Sequence, residues 1–172
     1  METVNDLASR RETVYLAGGC FWGMQDILRN IPGVLETDVG YTGGHVKNAT
    51  YRRHDGHAET VRVVFDLERL PFEQLLRWFF RMHDPTTKDR QGFDVGSSYR
   101  SAIFYTTEEQ QRIAEEFKKR IDASGIWGAP IVTDIVQATD YWKAEEEHQD
   151  YLEKYPEGYT CHLLRPESVL GD

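Results

Sequence analysis

The hydrophobic pattern changes its period at a pair of glycines near the start of the chain. Residues 12–18, "ETVYLAG", have the alternation and the residue types of a β-strand. After the glycines, Phe21, Met24 and Leu28 follow helical spacing, and "NIPG" ends the helix. A strand that passes so abruptly into a helix favours glycine at the turn, because glycine adopts backbone angles that other residues avoid. The sequence therefore predicts a strand, a sharp turn and a helix.

The later segments continue this alternation of strands and helices. Strands are predicted at 34–44, 57–66, 99–106 and 131–138. Helices are predicted after Pro71, after the capping pair Thr107 and Gln110, and over 142–154. The order β-α-β-β-α followed by a strand is that of the split β-α-β motif. We therefore predict an α/β (α+β) fold, a two-layer split β-α-β (ferredoxin-like) sandwich with an irregular C-terminal tail.

The length of 172 residues suits one domain. We predict a single domain over 1–172, with an ordered core over about 12–154 and a mobile tail over 155–172 that contains Cys161. Residues 83–98, "HDPTTKDRQGFDVGSS", are predicted to form a long loop. Loops of this length without regular structure are usually functional or disordered, so this loop is a candidate part of a site.

Charge and apolar content exclude several kinds of partner. The net charge is −9, and phosphate binding needs a clustered basic surface, so we expect no nucleic acid. We also expect no membrane association and a cytoplasmic location, because no apolar stretch approaches the roughly 18 residues of a membrane span and the N-terminal residues lack a signal-peptide core. The two cysteines, Cys20 and Cys161, then start reduced. A bond between them is better explained as transient and catalytic than as structural.

Two residues have a local setting that suits catalysis. Cys20 begins the predicted helix, where free backbone N–H groups and the helix dipole stabilise a thiolate and lower the pKa of the thiol. The alternative is a small buried hydrophobic residue at a strand-helix junction. Glu59 shares one face of its strand with Val61, Val63 and Phe65. Burial there would raise its pKa and keep the carboxyl protonated, whereas an exposed glutamate at a strand end is the alternative.

Other candidate residues have an ordinary structural interpretation beside a functional one. From spacing alone, Tyr41 and Tyr99 are more simply core tyrosines at strand ends than hydrogen-bond donors to a ligand. Phe21 and Trp22 point about 100° apart on a helix, so one can pack in the core while the other lines a cavity. Asp94 lies in the long loop, where an aspartate is commonly solvated or caps a turn.

Three other functions are compatible with parts of the sequence. His54 and His57 with the two cysteines give a weak zinc signal, because the cysteines lie far apart and have no CxxC pairing. Cys20 with His57 suits a cysteine hydrolase or acyltransferase. A non-catalytic ligand-binding module on the same scaffold is a third possibility, since fold does not fix function. No phosphate loop or dinucleotide fingerprint is present, so neither a bound cofactor nor a metal is predicted.

Six motifs together resemble one family. "GGCFWG", "GYTGG", "GHAE", "HDPT", "DVGSSYRSAI" and "YWKAEEEHQDYLEKYPEGY" occur in the order and at the intervals of the class A peptide methionine sulfoxide reductases, and the likeness spans about residues 13 to 165. The sequence departs from that pattern at Gln25, where a glutamate is expected, at Ser97 and Ser98, where "TQ" is commoner, and in a short loop over 45–56. The family fold is an α/β sandwich with a mixed sheet.

The resemblance implies a role for each candidate residue. It makes Cys20 the nucleophile, Glu59 the acid/base, and Cys161 the resolving cysteine, one residue after the position in the family's Gly-Tyr-Cys segment. Tyr41 and Tyr99 would bind the sulfoxide oxygen, Phe21 and Trp22 would form the methyl pocket, and Asp94 would be a polar substrate contact.

The implied reaction is reduction of methionine S-sulfoxide, free or in proteins. Attack by Cys20 would leave a sulfenic acid, which Cys161 converts to a disulfide. Thioredoxin would then reduce that disulfide, so the resemblance implies an external thiol reductant and no cofactor. We expect a monomer.

Overall fold

A six-stranded mixed β-sheet forms the centre of the protein. The structure is a computed structural model that describes residues 10–160 and 162–172. The strands are β1 (Arg11–Gly18), β2 (Val34–Thr42), β3 (Ala58–Asp66), β4 (Arg90–Gln91), β5 (Asp94–Val95), β6 (Ser101–Tyr105), β7 (Asp134–Gln137) and β8 (Tyr141–Lys143). The helices are α1 (Phe21–Leu28), α2 (Phe72–Phe79), α3 (Glu108–Ser124) and α4 (Tyr151–Lys154), with 3₁₀ turns at Ser97–Tyr99, Glu146–His148 and Glu167–Leu170.

The strand order confirms the predicted split β-α-β arrangement. The main sheet has the order β7-β6-β1-β3-β2-β8. Strand β3 lies between β1 and β2 and is antiparallel to both, so β1 and β2 run in the same direction and α1 connects them. β6 is antiparallel to β1, whereas β7 is parallel to β6. The predicted fold class is therefore correct, with β7 and β8 added at the two edges.

The core lies between one face of the sheet and three helices. Apolar residues of β1, β2, β3 and β6 pack against α1, α2 and α3 in one large cluster, whose fully buried members include Val14, Leu16, Phe21, Val61, Val63, Phe65, Leu75, Leu76, Phe79 and Ile103. Burial of each such side chain contributes about 1.5–3 kcal/mol. The other face of the sheet has a small cluster of Ala17, Ala58, Ala102 and Phe104. The molecule therefore has the two layers that the sequence predicts.

The predicted helix over 142–154 is wrong. Residues Tyr141–Lys143 form an edge strand on β2, and the helix α4 covers only Tyr151–Lys154. The amide side chain of Gln149 accepts from the N–H of Val39 at 2.9 Å and donates to its carbonyl at 2.9 Å. Asp150 adopts a left-handed conformation with φ of 51°. Pairing with a distant strand therefore overrides the local helical pattern.

The long loop and the tail are partly ordered by contacts with the core. Within 83–98 the strands β4 and β5 form a short hairpin. Near the C-terminus, Leu170 is buried and the N–H of Arg165 donates to the carbonyl of Arg81 at 2.8 Å. The predicted division into an ordered core and a mobile tail stays a prediction. Among the described residues, no helix has both the length and the apolar character needed to span a bilayer.

Candidate active site

Cys20 lies where β1 ends and α1 begins. Gly19 turns the chain with φ of 105°, and a Cβ on Gly18 would lie 2.9 Å from the His83 ring, so both glycines are needed for this close packing. Cys20 is the N-cap of α1 and is 6% exposed. Cys20, the candidate nucleophile, therefore lies at a closely packed strand-helix junction and is almost completely buried.

The pKa of Cys20 is shifted in the direction opposite to the one that its helix position predicts. Burial, followed by the charge of Glu59, raises it from 9.0 to about 12. The backbone N–H groups of Trp22 and Gly23 favour the thiolate, as expected for a helix N-terminus, but they only reduce the shift. The prediction of a lowered pKa is thus wrong, because burial favours the thiol form of Cys20 at neutral pH.

Glu59 lies on the core face of β3, as the strand alternation predicts. It is 2% exposed and stands opposite Tyr41 in the register of β2 and β3. Its Oε1 accepts a hydrogen bond from the N–H of Phe21, 3.1 Å away, in the first turn of α1. Burial raises the pKa of Glu59 from 4.5 to about 7, and the charge of Asp94 adds to the rise, whereas the Phe21 N–H opposes it. This carboxyl group can therefore give or accept a proton near neutral pH.

Aromatic side chains form one wall beside Cys20. The Trp22 ring stacks on Tyr151 with 3.9 Å between ring centroids, and its Nε1–H donates to His148 Nδ1 at 3.1 Å. The Tyr51 ring stacks on His148 at 4.4 Å and is nearly parallel to Trp22 at 6.3 Å. Phe21 is fully buried behind this layer. Trp22 is thus half-buried and fixed on several sides, which suits the wall of an apolar pocket.

The hydroxyl of Tyr41 is not free to donate to a ligand, contrary to the prediction. The ring is completely buried, and the hydroxyl donates to Glu145 Oε1 at 3.0 Å. A phenol has one proton to donate. The other oxygen of Glu145 accepts from the N–H of Tyr51 at 3.1 Å. Tyr41 therefore supports the segment that contains Tyr51.

Tyr51 and Tyr99 both lie within electrostatic reach of Cys20 and Glu59. Burial raises the pKa of both, and in each case the charges of Glu59, Cys20 and Asp94 add to the rise. Tyr99 was predicted from the sequence, whereas Tyr51 was missed. The only signal for Tyr51 was its place in a loop between two glycine-rich motifs, which also holds many other polar residues.

Asp94 contacts the C-terminal tail. Asp94 Oδ2 accepts from the Tyr159 hydroxyl at 3.3 Å. Farther along the tail, His162 Nε2 lies 2.8 Å from the carbonyl of Gly18, to which it donates. A Cβ on Gly23 would contact Thr160 and His162. The predicted resolving residue, Cys161, lies outside the described residues.

Within residues 10–160 and 162–172, the structure assembles neither the alternative Cys20–His57 site nor a zinc site at His54 and His57. His57 is buried, its Nδ1 accepts from the N–H of Gly44 at 3.0 Å, and its Nε2 lies 2.7 Å from the carbonyl of Val46. With both ring nitrogens bound to backbone, His57 neither activates Cys20 nor offers a metal ligand. Glu145, Glu147 and His148 do bring ligand atoms within 4.8 Å of one another. Both oxygens of Glu145 and the Nδ1 of His148 are already hydrogen-bonded, so this cluster is explained by packing.

A buried thiol within electrostatic reach of a buried carboxyl group whose pKa is raised to about 7 is typical of a cysteine-dependent enzyme that also transfers a proton. Comparison with known proteins gives the family. The model of the peptide methionine sulfoxide reductase family matches residues 12–169. The chain is 62% identical to the peptide methionine sulfoxide reductase MsrA of Nitrobacter winogradskyi over 155 residues, which cover 90% of this chain and 87% of the relative.

Solved structures give the same result. The reduced form of Mxr1 from Saccharomyces cerevisiae matches with a TM-score of 0.80 and 34% identity, over 92% of this chain and 94% of that one. Mxr1 in complex with Trx2 matches with a TM-score of 0.59 and 25% identity, over 92% of each chain. The chain belongs to the peptide methionine sulfoxide reductase family. It is an oxidoreductase that reduces methionine S-sulfoxide, and the resemblance predicted from the sequence motifs is confirmed.

Proposed function

We propose that Cys20 attacks the sulfur of methionine sulfoxide while Glu59 protonates the sulfoxide oxygen. The oxygen is a poor leaving group, and a neutral acid relieves the charge that develops on it. The oxygen leaves sulfur and ends on Cys20, so one thiol and one sulfoxide give one sulfenic acid and one thioether. The Cys20 sulfur loses two electrons and the substrate sulfur gains them. The observation behind this proposal is a buried carboxyl group of pKa about 7 whose charge acts on the Cys20 thiol.

We propose that Cys20 and Glu59 share one proton during the reaction. Above about pH 7 the free protein holds a carboxylate at Glu59 and a thiol at Cys20. The reactive arrangement has the same number of protons, with the proton on Glu59 and the charge on sulfur. Moving the proton to Glu59 neutralises the charge that opposes the thiolate. Ionisation of Cys20 is therefore coupled to protonation of Glu59, the proposed acid.

We assign the oxygen-binding role to Tyr51 and Tyr99 in place of Tyr41. Their hydroxyl groups lie within electrostatic reach of both Glu59 and Cys20, and the pKa of each is raised, so each stays protonated and able to donate. Two such donors would stabilise charge on the oxygen in the transition state. Tyr41 then has a supporting role, because its hydroxyl donates to Glu145, which in turn accepts from the backbone N–H of Tyr51.

Phe21 and Trp22 are proposed to enclose the methyl group, with Asp94 as a polar contact for the rest of the substrate. Trp22 is fixed by its stack on Tyr151 and by its hydrogen bond to His148. A fixed aromatic wall binds a small apolar group without an entropy cost for ordering the wall. Asp94 lies close enough for its charge to raise the pKa values of both Cys20 and Glu59.

We propose that Cys161 resolves the sulfenic acid. Its thiol attacks the Cys20 sulfur, a disulfide forms and one water leaves. Support comes from its sequence neighbours, because Thr160 and His162 lie against the helix turn that follows Cys20. We further propose thioredoxin as the reductant of this disulfide, since the relative Mxr1 has been solved in complex with Trx2. Thiol-disulfide exchange then restores both thiols.

We also propose a cytoplasmic monomer that needs no bound cofactor. Every group in the scheme comes from one chain, and the electrons come from an external thiol. Size-exclusion chromatography tests the monomeric state. Full activity of protein that has been dialysed against a chelator, with only a thiol added, would show that no bound metal is needed.

The decisive experiment measures methionine formed from each sulfoxide epimer with dithiothreitol, free and within a peptide. The proposal expects turnover of the S epimer by the wild type and none by Cys20→Ser. A wild-type protein that binds the substrate but forms no methionine would refute the proposal and favour the binding module. Acyl transfer without sulfoxide reduction would favour the hydrolase.

A further inference from the structure

The two proposed hydroxyl donors come from separate segments of the chain. Tyr51 lies in the connection 43–57 between β2 and β3, and Tyr99 ends the 3₁₀ turn Ser97–Tyr99. Two donors act on one oxygen only if their segments are held at a fixed distance. A side-chain hydrogen bond joins these segments: His54 Nε2 lies 2.5 Å from Ser98 Oγ. Both residues stand where the sequence departs from the usual family motifs.

The hydrogen-bond pattern fixes the roles of the two ring nitrogens in neutral His54. Its Nδ1 lies 2.9 Å from the carbonyl of Thr50, which can only accept, so Nδ1 has the hydrogen. Nε2 is then the acceptor, and the hydroxyl of Ser98 donates to it. The bond therefore runs from the residue before Tyr99 to the residue three positions after Tyr51.

The His54 ring is itself held by the buried part of the site. It stacks on Tyr41 with 4.7 Å between centroids and 17° between planes. The hydroxyl of Tyr41 donates to Glu145, and Glu145 also accepts from the backbone of Tyr51. A continuous set of contacts thus runs from Glu145 through Tyr41 and His54 to Ser98. Because Tyr41 is fully buried, this connection is anchored in the core.

We infer that His54 and Ser98 are positioning residues that hold the Tyr99 turn against the Tyr51 segment. The pair, termed here the His54–Ser98 clasp, does not touch the reacting atoms; it fixes where the two hydroxyl groups meet the sulfoxide oxygen. The inference rests on the proposed function, because it needs both tyrosines to bind that oxygen. It also gives Tyr41 a role, since this ring supports His54.

The test measures the first chemical step in a single turnover, with excess enzyme over a methionyl sulfoxide peptide. We expect Ser98→Ala to slow this step about fivefold to tenfold, the rate equivalent of one neutral hydrogen bond. The apparent KM should change little, because the hydroxyl groups act mainly in the transition state. Ser97→Ala is the matched control: Ser97 is the preceding exposed serine, and its rate should stay within about twofold of the wild type.

Two further comparisons separate positioning from general damage. His54→Gln places an acceptor near the Nε2 position, whereas His54→Asn resembles only the Nδ1 side, so Gln should retain more of the rate than Asn. In a Tyr99→Phe background, Ser98→Ala should add almost no further loss, because the hydroxyl that it positions is gone. If a thermal melt shows that Ser98→Ala is destabilised, the first-step rates of His54→Gln and His54→Asn provide the test of the clasp instead.

The possible outcomes are distinct. A Ser98→Ala rate equal to that of Ser97→Ala, equal rates for the two His54 variants, or additive losses with Tyr99→Phe would overturn the clasp. Absence of methionine formation by the wild type would instead overturn the proposed function. The expected pattern, a loss in the rate of the first step that disappears without the Tyr99 hydroxyl, would establish the clasp.

Discussion

Gly23→Ala is expected to separate the two halves of the reaction. Gly23 lies inside α1, where alanine is more favourable than glycine by about 1 kcal/mol. A Cβ there would lie 2.5 Å from Thr160 Oγ1 and 3.0 Å from His162 Cγ, which is closer than van der Waals contact. The tail must therefore move away from the helix. The hydrogen bond of 2.8 Å from His162 to the Gly18 carbonyl would be lost with it.

The size of the effect follows from these two opposing changes. The gain in helix stability, about 1 kcal/mol, is offset by the loss of one hydrogen bond, also about 1 kcal/mol. The melting temperature should therefore stay within about 3 °C of the wild type. Displacement of the tail by about 1 Å should slow the step that needs Cys161 by about tenfold to a hundredfold. The attack of Cys20 does not use the tail and should keep its rate.

The assay compares the first equivalent of methionine with thioredoxin-supported turnover. Loss of free thiols after one turnover reports the disulfide directly. His162→Ala is the control, because it loses the same hydrogen bond without adding an atom. The double variant should recycle more slowly than His162→Ala alone, because the added Cβ still meets Thr160. Wild-type turnover with thioredoxin in Gly23→Ala, or loss of the first equivalent, would refute the reasoning.

A pH profile and three substitutions test the chemistry. The wild-type rate of the first step should rise with pH to about 7 and then stay level, because Cys20 and Glu59 share one proton above that pH. Glu59→Gln should lower this rate about a hundredfold and move the alkylation profile of Cys20 to lower pH; an unchanged profile would contradict the coupling. Trp22→Ala should raise KM and weaken the preference for methyl over larger alkyl sulfoxides, in competition assays on variants that keep the wild-type circular dichroism spectrum. Cys161→Ser should release one equivalent of methionine, accumulate a sulfenic acid that a dione reagent traps, and turn over slowly with dithiothreitol but not with thioredoxin; full turnover with thioredoxin would exclude Cys161 as the resolving thiol.

Features set by local periodicity were predictable from the sequence. The alternation in 57–66 places Glu59 on the face of Val61, and the structure buries both. The period change at the glycines correctly places Cys20 at a helix N-terminus. Each of these depends on neighbours only a few residues away, so the pattern contains the information.

Features set by distant contacts were not predictable in this way. Tyr41 loses its predicted role because its hydroxyl meets Glu145, which is 104 positions along the chain. Residues 142–154 have a helical pattern, yet the β2 edge and the Gln149 side chain hold most of them in another conformation. The pKa of Cys20 rises because burial and Glu59 outweigh the helix terminus. In each case a tertiary contact competes with a local preference and prevails.

The raised pKa of Cys20 also bears on selectivity. A thiolate of low pKa reacts with many oxidants and alkylating agents, whereas a thiol does not. At neutral pH the buried Cys20 stays protonated until a base takes its proton, and Glu59 is a buried carboxyl group of suitable pKa whose charge already acts on it. In the proposed scheme, Glu59 accepts that proton and becomes the acid that a sulfoxide oxygen needs. A reagent that requires no acid gains only the thiolate from this transfer, whereas a sulfoxide gains both the thiolate and the acid, so the arrangement favours a sulfoxide over other electrophiles at the same cysteine.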